Sequence, residues 1–150
     1  MNLVIHRGSR EIGGSCVEVE SGGKRLLIDV GTPLEEKLPE RMRLPATVKG
    51  LDGSDLSLLG VLVSHAYQDH FGRLSELSPK IPVGIGAAAR QIINKAGPFM
   101  NPPWPVVPSG WDFHDREPLS ISPFQITPFL VDHSAFDAYA LLIEADRKRL

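Results

Sequence analysis

Residues 58–63 read Leu-Leu-Gly-Val-Leu-Val, an apolar run that ends abruptly in Ser64-His65. A strand sends successive side chains to opposite faces, so an uninterrupted apolar run has to be covered on both of them. Residues 81–85 (Ile-Pro-Val-Gly-Ile) carry the same signature. Two such strands call for an interior sheet, and the C-terminal end of the first delivers a polar loop. The fold class expected is α/β (α+β): a strand-rich mixed sheet with two or three helices, in one domain over residues 1–150.

The remaining elements follow from local signals. Short β-rich runs at 3–5, 16–20 and 25–30 are separated by Gly13-Gly14 and Gly22-Gly23, and Ser-Gly-Gly-Lys-Arg at 21–25 reads as a hairpin turn. Residues 31–59 hold three prolines and little periodicity. They read as a long loop with room for one short helix. Residues 72–77 suggest a short helix stopped at Pro79, and 87–96 (AAARQIINKA) a longer one ended by Gly97-Pro98. Five prolines make 98–110 irregular. Residues 119–121, 124–130 and 138–144 alternate like antiparallel strands. The terminal Ala-Asp-Arg-Lys-Arg-Leu opens a further hairpin strand, so the chain is expected to end partway through a fold.

Composition excludes several classes. With 16 Lys+Arg against 18 Asp+Glu the net charge is −2, so the basic footprint of a nucleic-acid binder is absent. One cysteine, Cys16, rules out a disulfide framework and a multi-cysteine zinc site. The expected setting is a reducing cytoplasm. No stretch approaches the roughly 20 apolar residues of a membrane span, and the first residues lack a signal-peptide pattern.

The sharpest chemical signal is Ser64-His65-Ala66-Tyr67-Gln68-Asp69-His70, placed directly after the apolar run. It gathers two imidazoles and a carboxylate, the ligands that zinc, iron and manganese take where thiolates are absent. A lone histidine there would read as a helix cap or surface residue; the clustering favours a metal. Val131-Asp132-His133-Ser134-Ala135-Phe136-Asp137 follows a second β-run and offers a third imidazole. By itself it would read as a loop of capping residues. Elsewhere, His6 reads as an edge residue, His114 as a turn residue, Trp104 and Trp111 as loop packing, and Cys16 as a small hydrophobe. Gly84–Ala89 lacks the lysine and third glycine of a phosphate loop.

These residues resemble a known family. The chain is similar to the N-terminal part of a metallo-β-lactamase-fold hydrolase of the ribonuclease J-like, β-CASP branch. His65-Ala66-Tyr67-Gln68-Asp69-His70 stands where that superfamily has His-x-His-x-Asp-His. Leu26-Leu27-Ile28-Asp29-Val30-Gly31 is similar to its first motif, and Glu11-Ile12-Gly13-Gly14-Ser15-Cys16 looks like the same branch. Asp132-His133-Ser134-Ala135 resembles the third motif. The resemblance spans essentially the whole chain and implies an αββα sandwich, here its N-terminal half, with two zinc ions at one edge. It implies His65 and His133 on the first metal and Asp69 and His70 on the second. Asp69 would also be catalytic, while Asp29, Tyr67 and Asp137 would surround the ligands. The implied reaction is attack of a metal-activated water on a phosphodiester of RNA or DNA, which makes nucleic acid a partner by resemblance alone.

Two departures shape the expectation. Tyr67 replaces the middle histidine, and a phenol must lose its proton before it ligates well. The family's later metal motifs lie downstream of the third one, and residue 150 precedes them. Two further functions are therefore expected as alternatives: a non-catalytic module acting in assembly or binding, and a hydrolase of small thioesters or lactones. A lone half would also leave an apolar face of strands 59–63 and 81–85 bare, which predicts a homodimer.

Overall fold

Backbone pairing divides the strands into two sheets in the computed structural model, which describes residues 1–34 and 42–150. The first sheet runs β1 (Asn2–Arg7), β2 (Cys16–Ser21), β3 (Lys24–Ile28), β4 (Leu58–Leu62), β5 (Val83–Gly86), β6 (Asp112–Phe113) in that order. β1 to β3 are antiparallel, and β3 to β6 are parallel. The β2–β3 connection uses Gly22 and Gly23, both at positive φ (57° and 73°), the conformation that a two-residue hairpin turn demands. The second sheet is antiparallel throughout, in the order β10 (Lys148–Arg149), β9 (Tyr139–Ala145), β8 (Phe124–Leu130), β7 (Leu119–Ile121). Asp146 and Arg147 turn between β9 and β10 with φ of 51° and 57°, so the terminal hairpin forms as its sequence suggests.

The alternation of β4 and its neighbours builds two cores. Leu27, Val61, Val63, Val83 and Ile85 face one way, where Phe71, Leu74, Ile81, Ile93 and Val107 cover them. Val19, Leu26, Leu62 and Phe113 face the other way, onto Ile121, Phe124, Ile126 and Ile143 of the second sheet. Both faces of the 59–63 and 81–85 strands are thus covered, which corrects the expectation of a bare face there. The outer face of the second sheet carries the cross-strand pairs Gln125–Glu144, Thr127–Leu142 and Phe129–Ala140. No described helix packs there. The architecture is helices and loops, then a mixed sheet, then an antiparallel sheet.

Several boundaries differ from expectation. The helix read at 72–77 is instead α1 (Gln68–Phe71), one turn long, followed by a 3-10 turn at Leu74–Glu76. α1 ends early because residue 30 takes its next backbone bonds: Val30 N–H donates to the His70 oxygen and Arg73 N–H to the Val30 oxygen. β5 starts at Val83 because Pro82 has no N–H for the ladder and Ile81 N–H closes a turn onto Ser78. β6 is too short to show an alternating pattern. α2 (Ala87–Ala96) has the expected bounds. Residues 31–34 and 42–57 form no helix, and residues 35–41 lie outside the described residues. Among the described residues no helix is long and apolar enough to cross a membrane. Cys16 packs as a small hydrophobe with no exposure, and burial pushes its thiol up to about 12.

Candidate metal centre

β3 and β4 are parallel neighbours, so their C-terminal ends open on the same edge of the sheet. Asp29 follows β3 in the left-handed region (φ 58°), a conformation that Asp tolerates better than most residues. There it is 6% exposed, and its carboxylate ties β4 to α1. Ser64 N–H donates to Oδ1 (2.8 Å), the Ser64 hydroxyl donates to the same carboxylate (3.0 Å), and His70 Nδ1 donates to Oδ2 (2.7 Å). A carboxylate accepts only, so Nδ1 carries a proton, and in the neutral His70 ring Nε2 keeps the lone pair. That nitrogen lies 3.4 Å from Asp69 Oδ2.

His65 is 8% exposed, and its ring is at the centre of the cluster. Its centroid is 3.9 Å from that of His70 and 4.4 Å from that of His133. His65 Nδ1 lies 2.9 Å from the Ser64 hydroxyl. Burial first, then the neighbouring His70 imidazole, push His65 down to about 4, so at neutral pH it is uncharged and offers a lone pair. His70 is moved the opposite way. Burial lowers it, but the hydrogen bond and charge of Asp29, backed by Asp69, hold it above the ordinary imidazole value.

The segment carrying Asp69 is held by close backbone packing. Ser15 N–H donates to the Asp69 carbonyl. A Cβ at Gly31 would fall onto that same carbonyl, and one at Gly13 (φ 75°) would come within 2.8 Å of Asp69 Cβ. Both glycines are therefore required by the close approach.

Tyr67 is half-exposed above the rings, 5.2 Å from His65 and 5.5 Å from His133 between centroids. Its hydroxyl donates to Ser134 Oγ at 2.9 Å, linking the two motif loops. His133 Nδ1 accepts from Ala135 N–H at 3.0 Å. The proton of a neutral His133 then sits on Nε2, so ligation through that nitrogen requires the Ala135 hydrogen bond to give way. Asp137 contacts none of the rings. Its carboxylate accepts from Ala88 and Ala89 N–H (2.8 and 3.0 Å), capping α2 and bracing the His133 loop from behind. His114 is an exposed turn residue, and His6, on β1, bonds to Thr47 away from the cluster.

The structure brings His65, Asp69, His70 and His133 together, with Asp29 and Tyr67 around them. In kind, three imidazoles and a carboxylate suit a divalent cation such as zinc. The rings pack on one another, however, and among the described residues no three His, Cys, Asp or Glu side chains already surround one metal-sized point. The donors fit the ion chemically and need a modest reorientation, with His133 the clearest case. Ser64 was not singled out in the sequence, although it touches Asp29, His65 and His70; its signal was its place at the end of the buried run.

Comparison with known proteins adds an independent line. A family model described as the metallo-beta-lactamase superfamily matches residues 10–138. An RNase J-like protein of Methanocaldococcus jannaschii is 36% identical over 72 residues, covering 48% of this chain and 14% of that protein. A protein of unknown function from Enterococcus faecalis superimposes with a TM-score of 0.79 at 23% identity, over 98% of this chain and 41% of that one. A Cronobacter sakazakii metallo-beta-lactamase with a HARLDQ motif superimposes with a TM-score of 0.64 at 17% identity, over 89% of this chain and 49% of that one. The chain thus spans less than half the length of each.

Proposed function

The chain belongs to the metallo-beta-lactamase superfamily, and from that premise we propose that it is a metal-dependent hydrolase acting on phosphodiester bonds of RNA or DNA. The observation that carries this reading is the meeting of three imidazoles and Asp69 at one sheet edge, with Asp29 fixing the His70 tautomer. The likeness to an RNase J-like protein supports the substrate class. His65 and His133 would hold one zinc ion, and Asp69 and His70 a second. When bound, such ions lower the pKa of water and stabilise charge on the scissile group. Burial keeps His65 neutral, so it presents a lone pair at neutral pH, and the Asp29 hydrogen bond to His70 Nδ1 leaves Nε2 as the nitrogen through which that ring would ligate. Tyr67 can donate a hydrogen bond to a substrate oxygen if Ser134 releases it.

The test is to strip the purified chain with chelator, reload it with zinc or manganese, and follow bound metal and cleavage of a labelled single-stranded RNA. Expected are metal-dependent cleavage and its loss in His65→Ala and Asp69→Ala proteins that still fold. Metal uptake without cleavage of RNA or DNA would sink the proposed activity.

Tyr67, in the place of the superfamily's middle histidine, favours a second reading as a non-catalytic module acting in assembly or binding. Absence of metal uptake would select it. The HARLDQ motif of the solved lactamase likewise has a non-histidine, arginine, in its third position. For assembly, a homodimer is proposed, joined through the outer face of the second sheet.

A further inference from the structure

Phe136 stands on the His133 loop with 72% of its surface exposed, yet its neighbours anchor it. Ala135 before it is buried, and Asp137 after it caps α2. An exposed aromatic on an anchored loop keeps a flat apolar surface at one fixed place. Exposure alone does not single it out, since Phe99 is 89% exposed. Its position does: Phe136 is the wall shared by two adjoining hollows.

The first hollow includes Asp132 and His133, so it reaches the candidate metal centre. The second, of about 640 Å³, is an open groove between Phe136 and one face of α2, where Ala88, Gln91, Ile92 and Lys95 recur at helical spacing. Its size falls in the range of small-molecule sites, about 300–1,000 Å³. Ile92, 41% exposed, adds apolar surface, and Lys95 adds a cation with no acidic side chain in the described lining. At about 1.5 Å per residue, Lys95 stands about 10 Å along α2 from Ala88. The carboxylates lie at the other end, on Asp132 and Asp137. Asp137 is occupied by α2, and that end is where a bound metal would supply positive charge. Cationic ends with a flat apolar surface between them match the phosphate, base and next phosphate of a single strand.

We propose that Phe136 stacks the base adjoining the scissile phosphodiester and that Lys95 holds the next phosphate, so that the groove seats one nucleotide of single-stranded RNA or DNA. That place for the scissile bond rests on the proposed hydrolase activity, whereas stacking itself needs no metal.

Binding is therefore read by fluorescence anisotropy on the chelator-treated full chain, with a labelled RNA hexamer of adenosines as ligand. Expected is saturable binding that Phe136→Ala weakens about fivefold or more, the lower range for one stacked base. If Phe136→Ala does not fold, Phe136→Leu takes its place, keeping apolar bulk without a ring face, with the same loss expected. A hexamer of abasic sites should bind wild type and variant alike. Lys95→Gln should lower the slope of log affinity against log salt by about 0.7, the release expected for one phosphate contact on a single strand. Cleavage is followed separately on the zinc-loaded chain. Phe136-dependent binding without cleavage would refute the hydrolase activity and keep the groove. Cleavage with equal hexamer affinity in the folded Phe136 variant would overturn the groove and keep the hydrolase. No saturable binding, or an unchanged salt slope in Lys95→Gln, would also overturn the groove. A Phe136 variant that alters sedimentation but not RNA affinity would overturn it too, and assign Phe136 to a contact between copies.

Discussion

Asp29 shows how much of this site rests on one side chain, since its two oxygens fix Ser64 and His70 together. The neighbouring Tyr67 is where the site departs most from the superfamily pattern. Tyr67→His would give the first metal position a third imidazole, the ligand count of catalytic zinc sites. Zinc affinity is expected to rise at least about tenfold in a competitive chelator titration, and equal affinities would show that the phenol costs the site nothing. His65 gives a stability prediction. Folded His65 stays neutral down to about pH 4, whereas in the unfolded chain it takes a proton near its ordinary 6.5. Between those values the unfolded state binds more protons, so this group lowers stability as pH falls from 6.5 toward 4. His70, with its raised value, stabilises below 6.5 and loses that contribution as pH climbs through its folded pKa. His65→Gln should therefore flatten the decline in melting temperature between pH 6.5 and 4. A parallel decline in both proteins would remove the assigned cause. The imidazoles and Asp69 were legible in the sequence because their residue types cluster after apolar runs. The Ser64 bridge and the Ala135 hydrogen bond to His133 were not, because they depend on contacts and rotamers that spacing does not encode.

At the scale of elements, the interior strands and α2 could be read because uninterrupted apolar runs and helix stops are strong local signals. α1 could not, since tertiary hydrogen bonds with residue 30 set its length. The role of Asp137 was equally hidden. Its carboxylate lies beside α2 only after the second sheet has docked, so nothing local shows that it caps that helix. Asp137→Ala should lower stability by about 1–2 kcal/mol, as loss of a helix cap does. Urea unfolding measures it. A change well under 0.5 kcal/mol would mean that other groups satisfy the first turn of α2. Weaker metal uptake in the same variant is expected, because the His133 loop would lose its brace.

For the whole molecule, the covered faces of β4 and β5 move the question of assembly to the outer face of the second sheet. Phe129 and Ala140 are exposed on it, and Leu130, Val131 and Phe136 are exposed close by in the chain. The apolar end of this face, where Phe129 and Ala140 meet the loop, suits a two-fold contact between copies. Sedimentation at micromolar concentration is expected to show a dimer that Phe129→Lys dissociates. A 16.4 kDa species independent of concentration would refute it. The sequence shows that the strands at 59–63 and 81–85 need cover on both faces, but apolar runs reveal that need without revealing that the chain itself supplies it.

The wide sequence separation within the metal centre also has a kinetic meaning. The Asp29–His70 contact closes a span of 41 residues and the Tyr67–Ser134 contact one of 67. Contacts of such long range form late, after the local hairpins on either side of them. The proposed first metal position, shared by His65 and His133, is likewise brought together only by a long-range contact, so a metal ion held there is not expected to seed folding. Stopped-flow refolding should run at the same rate with and without zinc, and the ion should act afterwards by slowing unfolding.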